Sequence, residues 1–305
     1  MRSTNNKPVL LNVVGPTAIG KTKLAIKLAK HFNTEILSAD SRQFYKELPI
    51  GTAAPTPEEL AEAPHHFIHN RSISEDYNVG AYERDALKKL EDLFKTHDIV
   101  IAVGGSGLYI DALNEGLHSF PEIDQKVKED LAAQFETHGI TYLQETLKDL
   151  DPNYYNKVDL NNHTRLLRAL EVCKSSGKPY SSFLEQEKPP RFFKSIYIGL
   201  EADRAVLYNR INLRVDYMMA DGLLEEVKSV IDFRNHNALQ TVGYKELFQY
   251  LDKELSLEEA IQEIKKNSRR YAKRQISWFR RNSKIIWVDF ESPFSEVLKK
   301  VKSAL

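Results

Sequence analysis

Cysteine is nearly missing: Cys173 is the only one in 305 residues. One thiol forms neither an internal disulfide nor a cysteine-rich zinc site. Its place after Ala169 and Leu170 in a helical pattern makes it a packed helix residue. Net charge is missing too, since Lys+Arg and Asp+Glu both number 43. That excludes a globally basic coat for nucleic acid, though not a local basic patch. No apolar run approaches the roughly 18 residues of a membrane span, and the mean hydropathy is −0.46. The start of the chain shows a short apolar strand without the h-region or small-residue cleavage site of a signal peptide, so a cytoplasmic protein is expected. Internal repeats and low-complexity tracts are lacking. What is present is an apolar fraction of 42%, enough core for one large domain or two ordinary ones.

Val9-Leu10-Leu11-Asn12-Val13-Val14 is a short, mostly apolar run closed by Gly15-Pro16, and it reads as a buried strand. A helix follows over residues 23–32, then a second strand over 35–39 that ends at Asp40. A helix over residues 81–96 leads to a third strand, Ile99-Val100-Ile101-Ala102-Val103, closed by Gly104-Gly105-Ser106-Gly107. Strands alternating with helices, with glycines at the strand ends, specify a parallel α/β sheet. From residue 118 the pattern changes. Residues 124–176 carry helical periodicity and no strand, and a stretch containing Pro and Ser closes this part over 178–190. Ile196-Tyr197-Ile198-Gly199-Leu200 resumes the sheet. Long helices are expected over 204–235 and 257–278, then a last strand at Ile285-Ile286-Trp287-Val288. The expected organisation is an α/β core in two parts, residues 1–117 and 195–305, with an all-helical insertion at 118–194.

Gly15-Pro16-Thr17-Ala18-Ile19-Gly20-Lys21-Thr22 matches G-x-x-x-x-G-K-[ST] and sits between a buried strand and a helix, as a phosphate-binding loop requires. Glycines let the backbone curl until its N–H groups point at an anion, and the helix N-terminus adds partial positive charge. Lys21 supplies a point charge, and the Thr22 hydroxyl is placed to hold Mg²⁺. The loop calls for a diphosphate or triphosphate, which need not be ATP. Asp40, directly beyond the second strand, stands where ligands bind in an open α/β sheet. Three roles stay open for it: Mg²⁺ ligand, general base beside the phosphates, or plain cap or turn residue.

Residues 265–284 hold nine Lys/Arg and no Asp/Glu. At ~100° per residue, Ile261, Ile264, Ser268, Tyr271, Ala272, Gln275, Ile276, Trp278 and Phe279 share one arc. Lys266, Arg269, Arg270, Lys273, Arg274, Arg280 and Arg281 share the opposite one. A stripe of one sign on a neutral protein points to a polyanionic partner, because unrelieved like charges repel along a helix. In the insertion, Asn162-His163-Thr164-Arg165-Leu166-Leu167-Arg168 places Arg165 and Arg168 on one helix face, to clamp phosphates, to stack on bases, or simply to pair with Glu171. His65-His66 lacks further ligands at metal spacing and reads as structural or substrate-lining.

Together these residues resemble one family, the tRNA dimethylallyltransferases, also called tRNA isopentenyltransferases. The resemblance runs across nearly the whole chain. It is carried by the phosphate loop; by Ser38-Ala39-Asp40-Ser41-Arg42-Gln43 with Gly51-Thr52-Ala53; by Pro64-His65-His66; and by Val103-Gly104-Gly105-Ser106-Gly107-Leu108-Tyr109. Further segments are Arg165-Leu166-Leu167-Arg168-Ala169-Leu170-Glu171-Val172, residues 210–215 with Gly222-Leu223, Gln240-Thr241-Val242-Gly243-Tyr244 and Lys273-Arg274-Gln275. The loop alone is shared with many NTPases; the combination is far more specific.

The resemblance implies that a dimethylallyl group moves from dimethylallyl diphosphate to N6 of adenosine 37 of tRNA, with Mg²⁺ present and diphosphate leaving. It implies a P-loop α/β core and a helical insertion gripping the anticodon stem-loop; separately, a monomer is expected. On it Asp40 takes the adenine proton, and Ser106, where the family often has Thr, bonds the leaving diphosphate. Arg214, with Arg210 as its neighbour, neutralises that group. Asp40, Ser41, Arg42 and Gln43 line the flipped adenine. Ser106, Lys128, Thr164, Arg165, Leu166, Leu167, Arg168, Gln240, Thr241, Val242, Gly243 and Tyr244 contact tRNA. One Cys and no tail fit the bacterial form rather than one with a C-terminal zinc finger. The competing reading is a P-loop nucleotide kinase or NTPase with RNA-binding helices, and the phosphate donor consumed separates the two. A non-catalytic RNA-binding protein is disfavoured by the intact Lys21, Thr22 and Asp40.

Overall fold

The computed structural model describes residues 7–305; the first six, on which part of the expectation about a leader falls, lie outside the described residues. These residues form two compact units. One extends to Asn114 and resumes over Arg191–Leu305; the other is Glu115–Pro190. The division comes a few residues earlier than the expected 118–194. Arg191 explains the second boundary, since its Nε donates to the Leu113 carbonyl at 2.9 Å and its guanidinium pairs with Glu83.

The first unit is built on a six-stranded, wholly parallel sheet of order β3-β2-β4-β1-β5-β6. The strands are β1 (Val9–Val14), β2 (Ile36–Ser38), β3 (His65–His66), β4 (Ile99–Gly104), β5 (Lys194–Glu201) and β6 (Ile285–Asp289). The two-residue edge strand β3 was not expected, because two histidines after a proline carry no apolar alternation. Side chains alternate through β1, so Leu11 and Val13 pack on one layer while Leu10 and Val14 pack on the other. Asn12 lies on the second face, fully buried. It is satisfied by a reciprocal amide pair with Asn114, 2.9 Å each way.

Helices α1 (Lys21–Phe32), α2 (Pro57–Glu62), α3 (Val79–Leu93) and α4 (Gly107–Glu115) connect the first strands. The second unit holds α5 (Gln125–Leu150), α6 (Pro152–Tyr155), α7 (His163–Ser176) and α8 (Tyr180–Leu184). Its core of Leu131, Leu143, Leu147, Leu166, Ala169 and Leu170 is wholly aliphatic. Gly139, at φ 69°, breaks α5 into two runs. Cys173 is buried, with the Tyr180 N–H donating to its sulfur at 3.2 Å.

The chain returns through α9 (Arg204–Ala220), α10 (Leu223–Ser229), α11 (Tyr244–Leu251), α12 (Leu257–Phe279) and α13 (Phe294–Ala304). The single helix expected over 204–235 is two, because Gly222 at φ 99° turns the backbone left-handed between them. Among the described residues no helix is long and apolar enough to cross a membrane.

Candidate active site

The sheet order makes the site. β2, β4 and β1 are neighbours, so the segments leaving their carboxyl ends lie side by side. These segments are Asp40-Ser41-Arg42, Gly104-Gly105-Ser106 and the loop of residues 15–20. They open onto a cavity of about 590 Å³, lined among others by Thr17, Lys21, Thr22, Asp40, Arg214 and Tyr271.

In the loop, Gly15 sits at φ 142° with no room for a Cβ, which would fall 2.8 Å from the Leu200 carbonyl of β5. Gly20, at φ 105°, starts α1 with its first-turn amides unfilled by any side-chain cap. Ala18 holds φ 64° without being glycine, local backbone strain stored in the loop. Lys21 is tied back by an Nζ bond of 2.7 Å to the Pro16 carbonyl. Burial lowers its pKa to about 8, Asp40 opposing this and Arg214 reinforcing it. An anion arriving here would favour the ammonium form.

Two arginines of α9, four residues apart and so on one face, reach the loop. Arg214 Nη1 donates to Thr17 Oγ1 at 3.2 Å, and Arg210 Nε donates to the Ala18 carbonyl at 2.9 Å. Burial lowers the Arg214 pKa and Asp40 offsets it; an arginine stays charged through such a shift. Arg210 lies over the Phe290 ring and is exposed, which makes Arg214 the inner of the two.

Asp40 Oδ1 accepts the Arg42 N–H at 3.1 Å, so this residue both closes a turn and lines the cavity. Ser106 is buried. Its hydroxyl accepts the Ser41 N–H and donates to Ser41 Oγ, both at 3.1 Å. Burial pushes the pKa of Tyr271, another lining residue, up to about 12. Gln43 accepts from Ser38 Oγ at 3.2 Å and donates to the Ala53 carbonyl at 3.1 Å, which fixes its carboxamide at the cavity wall. Arg42 Nη1 donates to the Asn237 carbonyl at 2.7 Å. For a metal the donor set suits a hard cation carried in by its ligand. The Thr22 hydroxyl lines the cavity, while no group of three His, Cys, Asp or Glu among the described residues could hold one alone.

Some of the expected contact residues lie in packed positions. Tyr244 is fully buried, its hydroxyl donating to Glu226 at 2.6 Å. Gly243, at φ 98°, is buried ahead of it; Gln240 is exposed, and Thr241 and Val242 line the cavity. Leu166 is buried in the aliphatic core of the helical unit and Leu167 packs against it, because helical periodicity sends these positions inward. On the same unit Lys128, Thr164 and Arg165 are exposed; Arg168 is exposed too, lying over the Phe120 ring and 3.6 Å from Glu171.

The basic stripe is also narrower than expected. Lys266 pairs with Glu263 at 2.7 Å, and Arg269 is held by Asn212 Oδ1 at 2.7 Å. Arg270, Lys273 and Arg274 stay exposed. Sequence reasoning missed Glu226, whose carboxylate accepts the Ile50 and Gly51 N–H groups at 2.7 and 2.8 Å and so shapes the wall facing Gln43. Nothing in its local sequence marks it. Tyr271 and Gln275, placed in the packing arc with no role at the site, line the cavity, as does His65.

Comparison with known proteins finds relatives over nearly the whole chain. The family model described as IPP transferase matches residues 43–282. A tRNA dimethylallyltransferase of Christiangramia forsetii is 53% identical over 296 residues, covering 97% of this chain and 98% of that protein. The crystal structure of a full-length tRNA isopentenylpyrophosphate transferase from Bacillus halodurans superposes with TM-score 0.72 at 36% identity, covering 98% of this chain and 95% of that one. A eukaryotic dimethylallyltransferase acting on tRNA superposes with TM-score 0.81 at 27% identity, covering 97% of this chain and 77% of that one. Over this extent and at this identity the chain belongs to the IPP transferase family, that of the tRNA dimethylallyltransferases.

Proposed function

We propose that the chain transfers the dimethylallyl group of dimethylallyl diphosphate to N6 of adenosine 37 in tRNA. As a family member it is a prenyl-transferring enzyme that modifies tRNA. The observation that carries the finer reading is one cavity bounded by the phosphate loop, Asp40 and Arg214 together. An allylic diphosphate ionises readily, so the protein's task is to stabilise charge on the departing diphosphate and to aim the nucleophile. Lys21, Arg214, the Ser106 hydroxyl and the loop amides take the first task. Asp40, beside Gln43, takes the second: as the N6–C1 bond forms and the C1–O bond breaks, the N6 proton passes to its carboxylate. Mg²⁺ held by Thr22 and the diphosphate oxygens would add Lewis-acid neutralisation of the leaving group. A loop base is cheaper to extrude into such a site than a paired one.

The test is mass spectrometry of tRNA nucleosides after incubation with dimethylallyl diphosphate and Mg²⁺. A dimethylallylated adenosine at position 37 is expected. Consumption of ATP with unaltered tRNA would instead support the kinase or NTPase reading.

The exposed face of α12 and the insertion are the proposed tRNA grip. Affinity for tRNA should therefore fall steeply with salt. Neutralising Arg270, Lys273 and Arg274 together should reduce the slope of log K against log salt by about one unit per lost phosphate contact. An unchanged slope, measured by filter binding at several salt concentrations, would make these residues a merely solvated face.

A further inference from the structure

One buried polar side chain, unassigned above, touches both halves of the phosphate site. Gln275 of α12 is 5% exposed. Its Oε1 accepts the Thr17 N–H at 2.8 Å, and its Nε2 donates to the Gly105 carbonyl at 2.9 Å. Thr17 belongs to the loop after β1 and Gly105 to the turn after β4. The orientation of the carboxamide is set by chemistry, since the reverse would oppose two donors at Thr17 and two acceptors at Gly105. A Cβ on Gly105 would run into this carboxamide, so the glycine is matched to the contact. The turns on either side extend the same seam. Tyr271, one turn earlier on α12, lines the same cavity, while Trp278 fills the space beside Gly107 and donates to Asp111 Oδ2 at 2.8 Å.

A buried amide in the apolar arc of a helix is costly unless both of its ends are satisfied. Here both are, by the two segments that must face one diphosphate. The bond also uses up the Thr17 N–H, leaving the later loop amides and the start of α1 to meet the anion.

We propose that Gln275 is a positioning residue for the diphosphate, holding the phosphate loop and the Gly104-Gly105-Ser106 turn in fixed register; this rests on the prenyl-transfer reading above. Gln275→Met keeps the length and bulk and removes both bonds. Gln275→Glu keeps the acceptor for Thr17 but sets a carboxylate oxygen against the Gly105 carbonyl, beside the anion site. Gln275→Asn, too short to span both partners, supplies the same comparison should the longer substitutions unfold.

Calorimetry with inorganic diphosphate and Mg²⁺, with steady-state kinetics on both substrates, reads the effect. For Gln275→Met the Kd for diphosphate and the KM for dimethylallyl diphosphate should rise roughly ten- to hundredfold, as the loss of two hydrogen bonds implies. The KM for tRNA should not change, and Gln275→Glu should lose more. A merely structural residue would lower the melting temperature and kcat while leaving both KM values alone, and that result overturns the proposal. Diphosphate affinity within about twofold of wild type in the variants overturns it equally. Wild-type protein that binds no diphosphate overturns the prenyl-transfer reading itself, and shows this before any variant is made.

Discussion

Asp40→Asn should lower prenyl transfer by about 10²–10⁴-fold, the range typical of a lost general base, while diphosphate still binds and the metal dependence of that binding is unchanged. Asparagine keeps the shape and the acceptor for the Arg42 N–H, so the turn that Asp40 closes survives. What disappears is the group that takes the N6 proton. The anion remains held by the loop amides, Lys21 and Arg214, none of which relies on a bond to Asp40. The rival assignment makes Asp40 the Mg²⁺ ligand of an ordinary NTPase. Titrating Mg²⁺ against diphosphate affinity in wild type and Asp40→Asn separates the two. A large shift in the metal dependence would overturn the general-base assignment; an unchanged titration with lost transfer supports it.

Lys21→Ala should cost about 10²–10³-fold in the chemical step, as removal of one preorganised charge from a developing anion does, and leave tRNA affinity nearly intact. Lys21 faces the loop, bonded to Pro16 and close to Asp40 and Arg214, and not the exposed stripe. A comparable fall in tRNA affinity by filter binding would sink the assignment. The same residue predicts a pH effect. Its pKa in the free protein is lowered to about 8, so the loop loses its cation as pH rises through that value. A bound diphosphate favours the ammonium form, hence binding above pH 8 takes up a proton and weakens by up to about tenfold per pH unit. Lys21→Arg keeps its charge through this range and should lack that step. Parallel affinity profiles for wild type and Lys21→Arg would show that Lys21 is not titrating there.

Legibility differed between residues for physical reasons. The phosphate loop, Asp40 and Gly104-Gly105-Ser106-Gly107 were readable because each is a short local signal at the end of an apolar strand. The break at Gly222 was not, since a glycine inside a helical pattern is tolerated or turns left-handed according to what packs around it. Tyr244 and Leu166 show the limit of carrying roles along a motif. Both lie in segments that resemble tRNA-contacting ones, yet each points into a core. Glu226 lies 175 residues or more from the two backbone amides that it holds, a pairing no local pattern encodes.

The sequence by itself determined the alternation of strands and helices, the anion-binding loop and the concentration of positive charge on one late helix. All of these depend on neighbours within a few positions, through backbone geometry and periodicity. Only the tertiary structure decided that the ends of β2, β4 and β1 adjoin, and that Arg214 rather than Arg210 is the inner arginine. It also decided that Lys266 and Arg269 are taken by partners, and that Gln275 joins the loop to a turn 88 residues farther along the chain from Thr17. Those outcomes depend on which distant groups strand order and packing bring within hydrogen-bond reach, and a buried donor or acceptor takes whatever partner the fold delivers.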